Sequence, residues 1–174
     1  MACALIGSVA IDCRDGVGGI LEIKVKVHQG FDTAEANFTE TSGVIAIASG
    51  SRSLWYTYNL EKETAMLTEK TNVSQANGTV FSEQDLKIVF NKLSAKMRNE
   101  IKVLAQNRLV IAVKDLNDVI WLVGTYYGAD LVDSTATTGT ARGDRSGYEL
   151  NFKAKEKHQM LTISEATYDT LITA

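Results

Sequence analysis

Residues 109–125 read LVIAVKDLNDVIWLVGT, and this stretch predicts a β-hairpin. Both arms are almost wholly apolar, and the segment 115–118 between them (DLND) is rich in turn-forming residues. A strand that is apolar on both faces needs cover on both faces. We expect a helix to cover one face of this hairpin. Either the interior of a β-sandwich or a neighbouring subunit would cover the other face.

Immediately before the hairpin, the spacing of apolar residues changes to that of a helix. Met97, Ile101 and Leu104 recur at intervals of four and three residues, which places them on one helical face. Ser94 is a suitable N-cap because its hydroxyl can accept a backbone N–H of the first turn. The sequence therefore predicts one amphipathic helix near 94–107.

The region before the helix predicts a long β-strand that follows a tight turn. Residues 79–93 have strand composition, and this length exceeds the roughly 5–6 residues typical of a strand. Residues 72–78 form the turn, in which Asn77 and Gly78 both tolerate positive φ. A long β-arm is therefore expected here.

Two further segments alternate with the period of a strand, at 20–28 and 148–157. In the first, the alternation predicts that Lys24 and Lys26 lie on a solvent-facing side. Between the hairpin and the second segment, residues 133–147 are rich in Thr, Gly and Ser and contain almost no apolar anchor. We expect a long polar loop there, and loops of this length are usually functional or flexible.

These elements predict a mainly β fold with a minor α component. Two antiparallel sheets pack as a sandwich or barrel, one helix near 94–107 flanks them, and a long polar loop lies near 133–147. Strands do not alternate with helices, so a parallel βαβ winding is not expected. No linker or internal repeat divides the chain, and we expect residues 1–174 to form a single domain.

Composition excludes several classes of protein. The 174 residues are 45% hydrophobic and 22% charged, which argues against a disordered chain. The net charge of −3 argues against a generally basic nucleic-acid binder. Proline is absent, as suits a chain in which most segments are hydrogen-bonded to a neighbour. The apolar start of the chain is too short and too interrupted to span a bilayer, so no membrane association is expected.

No set of residues with the spacing of a catalytic, metal or cofactor site emerges from the sequence. Cys3 and Cys13 lie ten positions apart with only His28 and His158 elsewhere, so buried free thiols and surface histidines are the simplest interpretation. An RGD triplet at 142–144 fits a turn better than a receptor motif. We therefore predict a non-enzymatic interaction protein without a cofactor, in which exposed strand edges and loops make the contacts.

Three blocks of the sequence resemble small structural proteins of tailed bacteriophages. They are MACALIGSVAIDCRDGVGGI at 1–20, the stretch 77–115 that begins NGTVFSEQDLKIVF, and a final block, WLVGTYYGADL at 121–131 with TGTARGDRSGYELNFKAKE at 138–156. Within that class the chain is most similar to tail tube proteins. The resemblance implies two packed antiparallel sheets, a flanking helix and a long hairpin or loop that reaches the next ring. In that family six copies usually close a ring, and stacked rings conduct DNA.

The resemblance also implies the partners and the location of the protein. The partners are further copies of the chain, other virion proteins, and genomic DNA that passes without sequence-specific binding. The location is the virion, after assembly in the host bacterial cytoplasm. A mildly acidic wall would repel the phosphate backbone, whereas Lys24, Lys26, Lys153 and Lys155 would oppose this if they lined the lumen.

The residues expected at the contacts between copies come from the turn, the apolar hairpin and the polar loop. They are Asn72, Asn77, Gly78, Trp121, Arg142, Asp144 and Arg145. Two alternatives remain open. One is a head–tail connector, neck or capsid decoration protein, and the other is a β-sandwich module that binds a receptor or glycan through the loop with the RGD triplet.

Overall fold

A computed structural model describes residues 15–29 and 38–172 of the chain. Cys3 and Cys13 lie outside the described residues. The helices are α1 (Ala95–Gln106) and α2 (Glu165–Asp169), and a 3-10 turn occupies Ser49–Ser51. The strands are β1 (Ile20–Val27), β2 (Phe38–Thr41), β3 (Val44–Ile47), β4 (Tyr56–Asn59), β5 (Ala65–Ser74), β6 (Thr79–Asn91), β7 (Leu109–Asp115), β8 (Ile120–Val123), β9 (Asp130–Thr137), β10 (Gly147–Glu156) and β11 (Leu161–Ile163).

In the described part of the chain the strands form two sheets. Sheet A has seven strands in the order β2-β3-β11-β8-β7-β1-β4, and sheet B has four in the order β5-β6-β10-β9. The predicted mainly β fold with two sheets is confirmed, in its sandwich rather than its barrel form. One pair departs from the predicted antiparallel arrangement, because β3 and β11 are parallel. Most of the chain lies between these two strands, which leaves room for the crossover that a parallel pair requires.

The main core lies between the two sheets. Sheet A contributes alternate residues of β1 and β7, and sheet B contributes alternate residues of β6 and β10, as the strand period requires. The most deeply buried of these side chains are Ile23, Ile111, Val113, Leu86, Ile88, Leu150 and Phe152, all at most 2% exposed. The central strands of the two sheets are therefore buried against each other.

The apolar hairpin β7–β8 is covered on both faces by its own chain. Ile111 and Val113 face sheet B, while Val110 and Ala112 face the opposite side of sheet A. On that side a second core forms from β3, β8, β11 and the segment around α2, with Trp55, Tyr168 and Leu171 buried in it. Of the two alternatives for cover, the sandwich interior is therefore correct. The hairpin gives no reason to invoke a neighbouring subunit.

The prediction that Lys24 and Lys26 lie on a solvent-facing side of β1 is wrong. The two residues are only 8% and 7% exposed. The Lys24 ammonium donates to the backbone oxygens of Tyr168 at 2.8 Å and Leu171 at 3.2 Å. The Lys26 ammonium donates to the backbone oxygen of Ser51 at 2.9 Å. The second core covers this face of β1, and the lysines reach through it to satisfy backbone oxygens that burial removes from water.

Helix α1 begins and ends where its sequence pattern predicts. The Ser94 hydroxyl accepts the backbone N–H of Met97 at 3.1 Å, which caps the first turn. Ile101 and Leu104 are its buried side chains, and both join the core between the sheets. The helix therefore covers the sandwich beside β9, in the flanking position that was predicted.

The polar loop is shorter than predicted. Residues 130–137 form β9, which pairs with β10, and residue 147 already belongs to β10. Only residues 138–146 connect the two strands. Residues 133–137 were not predicted as a strand because they are mostly polar. They belong to β9, the edge strand of sheet B, where exposed polar side chains are tolerated.

Candidate functional site: a projecting hairpin

The β5–β6 hairpin extends beyond the rest of sheet B. Its two strands pair with each other as far as Ser74 opposite Thr79, whereas β10 stops pairing with β6 at Ser82. We call residues 72–81, which pair only with each other among the described residues, the arm. About four strand residues separate Ser82 from the turn, so the arm projects by about 13 Å at 3.3 Å per residue.

The arm is uncharged and carries apolar side chains on both of its faces. Its sequence is NVSQANGTVF. Val73 is 64% exposed and Val80 is 59% exposed, and the two lie directly opposite each other and so share one face. Phe81, at 37% exposure, lies on the other face. A surface of this composition can be buried against a partner without removing a charge from water.

A shallow depression lies at the base of the arm. It has a volume of about 390 Å³ and is bounded by Val80, Phe81 and Tyr127, with Lys155 and Lys157 at its rim. Tyr127 is 56% exposed. The base of the arm and Tyr127 therefore place apolar side chains next to two lysines.

Buried polar side chains hold Tyr127 in place beside the arm. The Glu156 carboxylate is 2% exposed, and its Oε1 accepts the backbone N–H groups of Tyr126 at 3.2 Å and Tyr127 at 3.0 Å. Burial raises the pKa of Glu156, and the backbone N–H groups partly oppose that rise. Gln84 Oε1 accepts the N–H of Gly124 at 3.0 Å. The loop after β8 is thus fixed to sheet B.

Three of the predicted interface residues lie in the arm. Asn72 is half-buried, and its amide donates to Glu83 Oε2 at 3.5 Å. Asn77 and Gly78 lie in the exposed turn between β5 and β6. Gly78 has a φ of 63°, which is the left-handed conformation expected from the sequence at this turn.

Three other predicted residues lie in the connection between β9 and β10. Asp144 Oδ2 accepts the backbone N–H groups of Thr140 at 2.8 Å and Ala141 at 2.7 Å, and these bonds lower the pKa of Asp144. Arg145 forms an ion pair with Glu149, and Arg142 is exposed. One carboxylate oxygen of Asp144 therefore stabilises the loop that contains the RGD triplet, as expected if the triplet forms a turn.

The structure does not bring all of the predicted interface residues together. The arm lies where β6 begins, whereas the β9–β10 connection lies where β6 ends, because Gly147 pairs with Asn91. The 13 residues of β6 span about 40 Å between these two ends. Trp121 lies on neither, since it is half-buried in sheet A and its indole donates to Asp115 Oδ2 at 3.2 Å. The predicted set thus covers two opposite ends of sheet B and one interior position.

Sequence reasoning missed the apolar side chains that give the arm its character. Val73, Val80 and Phe81 were not predicted as contact residues, although the first two each lie two positions from the four-residue turn 75–78. Residues at matching distances from a hairpin turn face each other. The polar stretch around them was interpreted as a turn alone. No local sequence pattern marks Tyr127 as a contact residue, because only the tertiary fold brings it next to the arm.

Within residues 15–29 and 38–172, no group of three or more His, Cys, Asp or Glu side chains could hold a metal ion. His28 and His158 lie apart, the first beside Arg108 and the second 5.2 Å from the ring of Tyr126. Neither described helix is long and apolar enough to cross a membrane.

Comparison with known proteins gave one structural similarity. No protein family matches the chain, and no curated protein matches it. A chain of a solved structure described as "Virion of native gene transfer agent (GTA) particle" has a TM-score of 0.38 and 10% sequence identity, over 61% of this chain and 88% of that one. A similarity at this TM-score carries no argument about function.

Proposed function

We propose that the chain is a non-enzymatic structural subunit of a phage-like virion, and that it assembles with copies of itself into stacked rings that form a tail tube. The observation that supports this best is the arm, which is uncharged, carries exposed apolar side chains on both faces and pairs with no other described strand. The sequence resemblance to tail tube proteins motivates the choice of this assembly. The apolar hairpin β7–β8 does not support it, because its own chain covers both faces.

The arm alone gives a weak contact. Full burial of a Val or Phe side chain contributes about 1.5–3 kcal/mol, so covering the exposed parts of Val73, Val80 and Phe81 contributes about 3 kcal/mol. This is below the roughly 4 kcal/mol that corresponds to a Kd of 1 mM. Assembly would therefore need several such contacts at once, as a closed ring or stack provides. We expect monomers in dilute solution and a sharp onset of assembly on concentration.

The placement of the basic side chains is compatible with a DNA conduit. The two lysines of β1 are withdrawn into the fold, where their ammonium groups contact backbone oxygens. On the outer face of sheet B, Lys153 pairs with Asp85 at 3.3 Å. Of the four lysines that could oppose passage of DNA, only Lys155 is both exposed and at the base of the arm. Within this set of four, the exposed basic charge is therefore located at the base of the arm, beside Lys157.

The test is to remove the apolar surface of the arm without changing its backbone. The variant Val73→Ser/Val80→Ser/Phe81→Ser keeps the turn and the strand pairing. Purified protein would be concentrated and examined by light scattering and negative-stain electron microscopy. We expect rings or tubes from the unchanged protein and monomers from the variant, with the same far-ultraviolet circular dichroism.

A matched control removes exposed apolar side chains elsewhere. Val44, Val103 and Leu116 are between 47% and 50% exposed, and none belongs to the arm. The triple change of these residues to Ser should leave assembly intact. Loss of assembly in both triple variants would show that general surface hydrophobicity, not the arm, drives association. A strictly monomeric unchanged protein at all concentrations would overturn the proposal.

A connector, neck or decoration protein would also belong to the virion, but its copy number would differ from that of a tube subunit. A tube requires many copies along its length, whereas a connector requires a single ring. Counting copies in purified particles by quantitative mass spectrometry separates these roles. The receptor-binding alternative gains no support from the geometry, because Asp144 is engaged within its own loop.

A further inference from the structure

A buried carboxylate holds the loop between β8 and β9 where this loop passes the base of the arm. At its two ends the loop is fixed by Gly124, which donates its N–H to a side chain of β6, and by Ala129, which exchanges backbone hydrogen bonds of 2.7 and 2.9 Å with β7. Between these ends, the N–H groups of Tyr126 and Tyr127 both donate to Oε1 of Glu156. The middle of the loop is therefore attached to sheet B by the carboxylate of Glu156.

The second oxygen of this carboxylate is buried and accepts no hydrogen bond from the described residues. Glu156 is 2% exposed and lies directly opposite Ser82 in the β6–β10 pair. The Ser82 hydroxyl does not donate to Glu156, because it donates to Oε1 of Glu69 on β5. None of the ion pairs in the part of the chain that the structure describes includes Glu156. Burial without a counter-ion or a donor to Oε2 disfavours a negative charge on this group.

The elements packed around Glu156 carry several charged or titratable side chains. They are Glu69 of β5, Glu40 of β2, Tyr126 and Tyr127 of the loop, Lys155, Lys157 and His158 of the β10 end, and His28 and Arg108, which lie against Gly128. Glu69 and Glu40 have the same sign of charge as Glu156, and the two lysines are exposed to solvent. Burial raises the pKa of Glu156 above its ordinary value of 4.5, and the backbone N–H groups oppose that rise.

We propose that the protonated Glu156 side chain is a latch, which holds the loop after β8 against sheet B and releases it when the proton is lost. The ionised carboxylate gains solvation by turning toward water, and the N–H groups of Tyr126 and Tyr127 then lose their acceptor. On the other side of the loop the Tyr126 phenol donates to Glu40 at 2.6 Å, so Tyr127 is the side chain that is released. Tyr127 bounds the depression at the base of the arm, so the proton on Glu156 controls the shape of that surface. The inference concerns the single subunit and does not depend on assembly.

Amide hydrogen exchange at Tyr126 and Tyr127 measures the opening of the loop at each pH. Protection factors, which correct for the intrinsic effect of pH on exchange, would be measured by NMR on the dilute unchanged protein and on Glu156→Gln. In the open loop the carboxyl has its ordinary pKa of 4.5, so opening releases a proton between that pH and the raised folded pKa. We expect both protection factors to fall by up to about tenfold per pH unit across this interval and to level off above it. In Glu156→Gln, which keeps the acceptor and cannot ionise, they should not change with pH.

Control variants assign the effect to one group. Glu149→Gln removes an exposed carboxylate from the same strand and should keep the pH dependence of the unchanged protein. The same is expected of Glu40→Gln, His28→Gln and His158→Gln. Loss of the dependence in one of these variants would assign it to that side chain and overturn the proposal. A dependence that persists in Glu156→Gln would overturn it as well.

Carbon-13 NMR of the Glu156 carboxyl gives a readout that needs no variant. The carboxyl carbon should titrate above pH 4.5, at the pH where the protection factors level off. A carboxyl that titrates at or below its ordinary pKa, or protection factors of the unchanged protein that do not vary with pH, would contradict the latch. Light scattering on the same sample keeps the result separate from the proposed function, because a monomer shows the latch even if no tube ever forms.

Discussion

Replacement of Lys24 by Met tests whether a buried ammonium group secures the end of the chain. Lys24 lies on β1 with 8% exposure, and its ammonium contacts the oxygens of Tyr168 and Leu171 and lies 4.1 Å from the centre of the Tyr168 ring. Met has a similar length and keeps the apolar packing of the stem. The substitution therefore removes the charge and its hydrogen bonds while leaving little cavity.

The expected loss follows from two opposing contributions. Each hydrogen bond from a charged donor contributes about 1.5–3 kcal/mol. In Lys24→Met the backbone oxygen of Leu171 loses its donor. The backbone oxygen of Tyr168 still accepts the N–H of Leu171. Against this, burying an ammonium costs several kcal/mol, and Met avoids that cost. We expect a net loss of about 1–3 kcal/mol in the free energy of unfolding. For a chain of this size each kcal/mol lowers Tm by about 2–4 °C.

Urea unfolding monitored by circular dichroism measures this difference. Lys155→Met removes an exposed lysine and should change stability by less than about 0.5 kcal/mol. Burial lowers the pKa of Lys24, so the unfolded state holds more protons as pH approaches the ordinary lysine value of 10.5. The unchanged protein should therefore gain stability relative to Lys24→Met as pH rises through that range. A Lys24→Met variant as stable as the unchanged protein would refute the idea that this ammonium secures the chain end.

Two further predictions concern polar groups near the ends of sheet B. Glu156→Gln keeps an acceptor for the loop after β8, and its free energy of unfolding should remain within about 1 kcal/mol of that of the unchanged protein. Glu156→Ala leaves the N–H groups of Tyr126 and Tyr127 without this acceptor. It should lower the free energy of unfolding in urea by about 2–4 kcal/mol. The folded pKa of Glu156 is raised, so the stability that its protonation contributes is lost as pH rises through that pKa. In Glu156→Gln the free energy of unfolding should depend less on pH in this range. Asp144→Ala should speed amide exchange at Thr140 and Ala141, while Arg142→Ala should not. In the unchanged protein this protection should be lost as pH falls through the lowered pKa of Asp144.

The strand and helix pattern was largely predictable because each element has a local signature. The helical spacing of α1 and the alternation of β10 come from side chains that pack on one nearby surface. The unbroken apolar runs of β7 and β8 mark strands that are buried on both faces. Ser94 caps α1 as its residue type predicts, and Gly78 adopts positive φ at the predicted turn. These features depend on the few residues on either side of each position.

The candidate site was predictable only in its position along the chain. The predicted turn at 72–78 includes the tip of the arm, where the turn occupies residues 75–78 and residues 72–74 belong to β5. The local pattern gave no indication that β10 stops pairing with β6 at Ser82 and leaves the arm projecting. The position of Tyr127 beside the arm depends on Gln84 and Glu156, which are far from it in sequence. Pairing between distant strands is set by the whole sheet, so no window of neighbouring residues contains it.

Neighbouring residues alone were enough to predict the class of fold, the strands with a clear apolar pattern and the long helix α1, because burial of an apolar stripe imposes a period on the sequence. β9 carries no such stripe and was predicted as part of a loop. Which faces of the strands are covered depends on the tertiary packing. It buried Lys24 and Lys26 beneath a second core and enclosed the apolar hairpin, because the polarity of a strand face reflects the layer packed upon it, and that layer comes from distant parts of the chain. The same packing left the arm without a cover of its own.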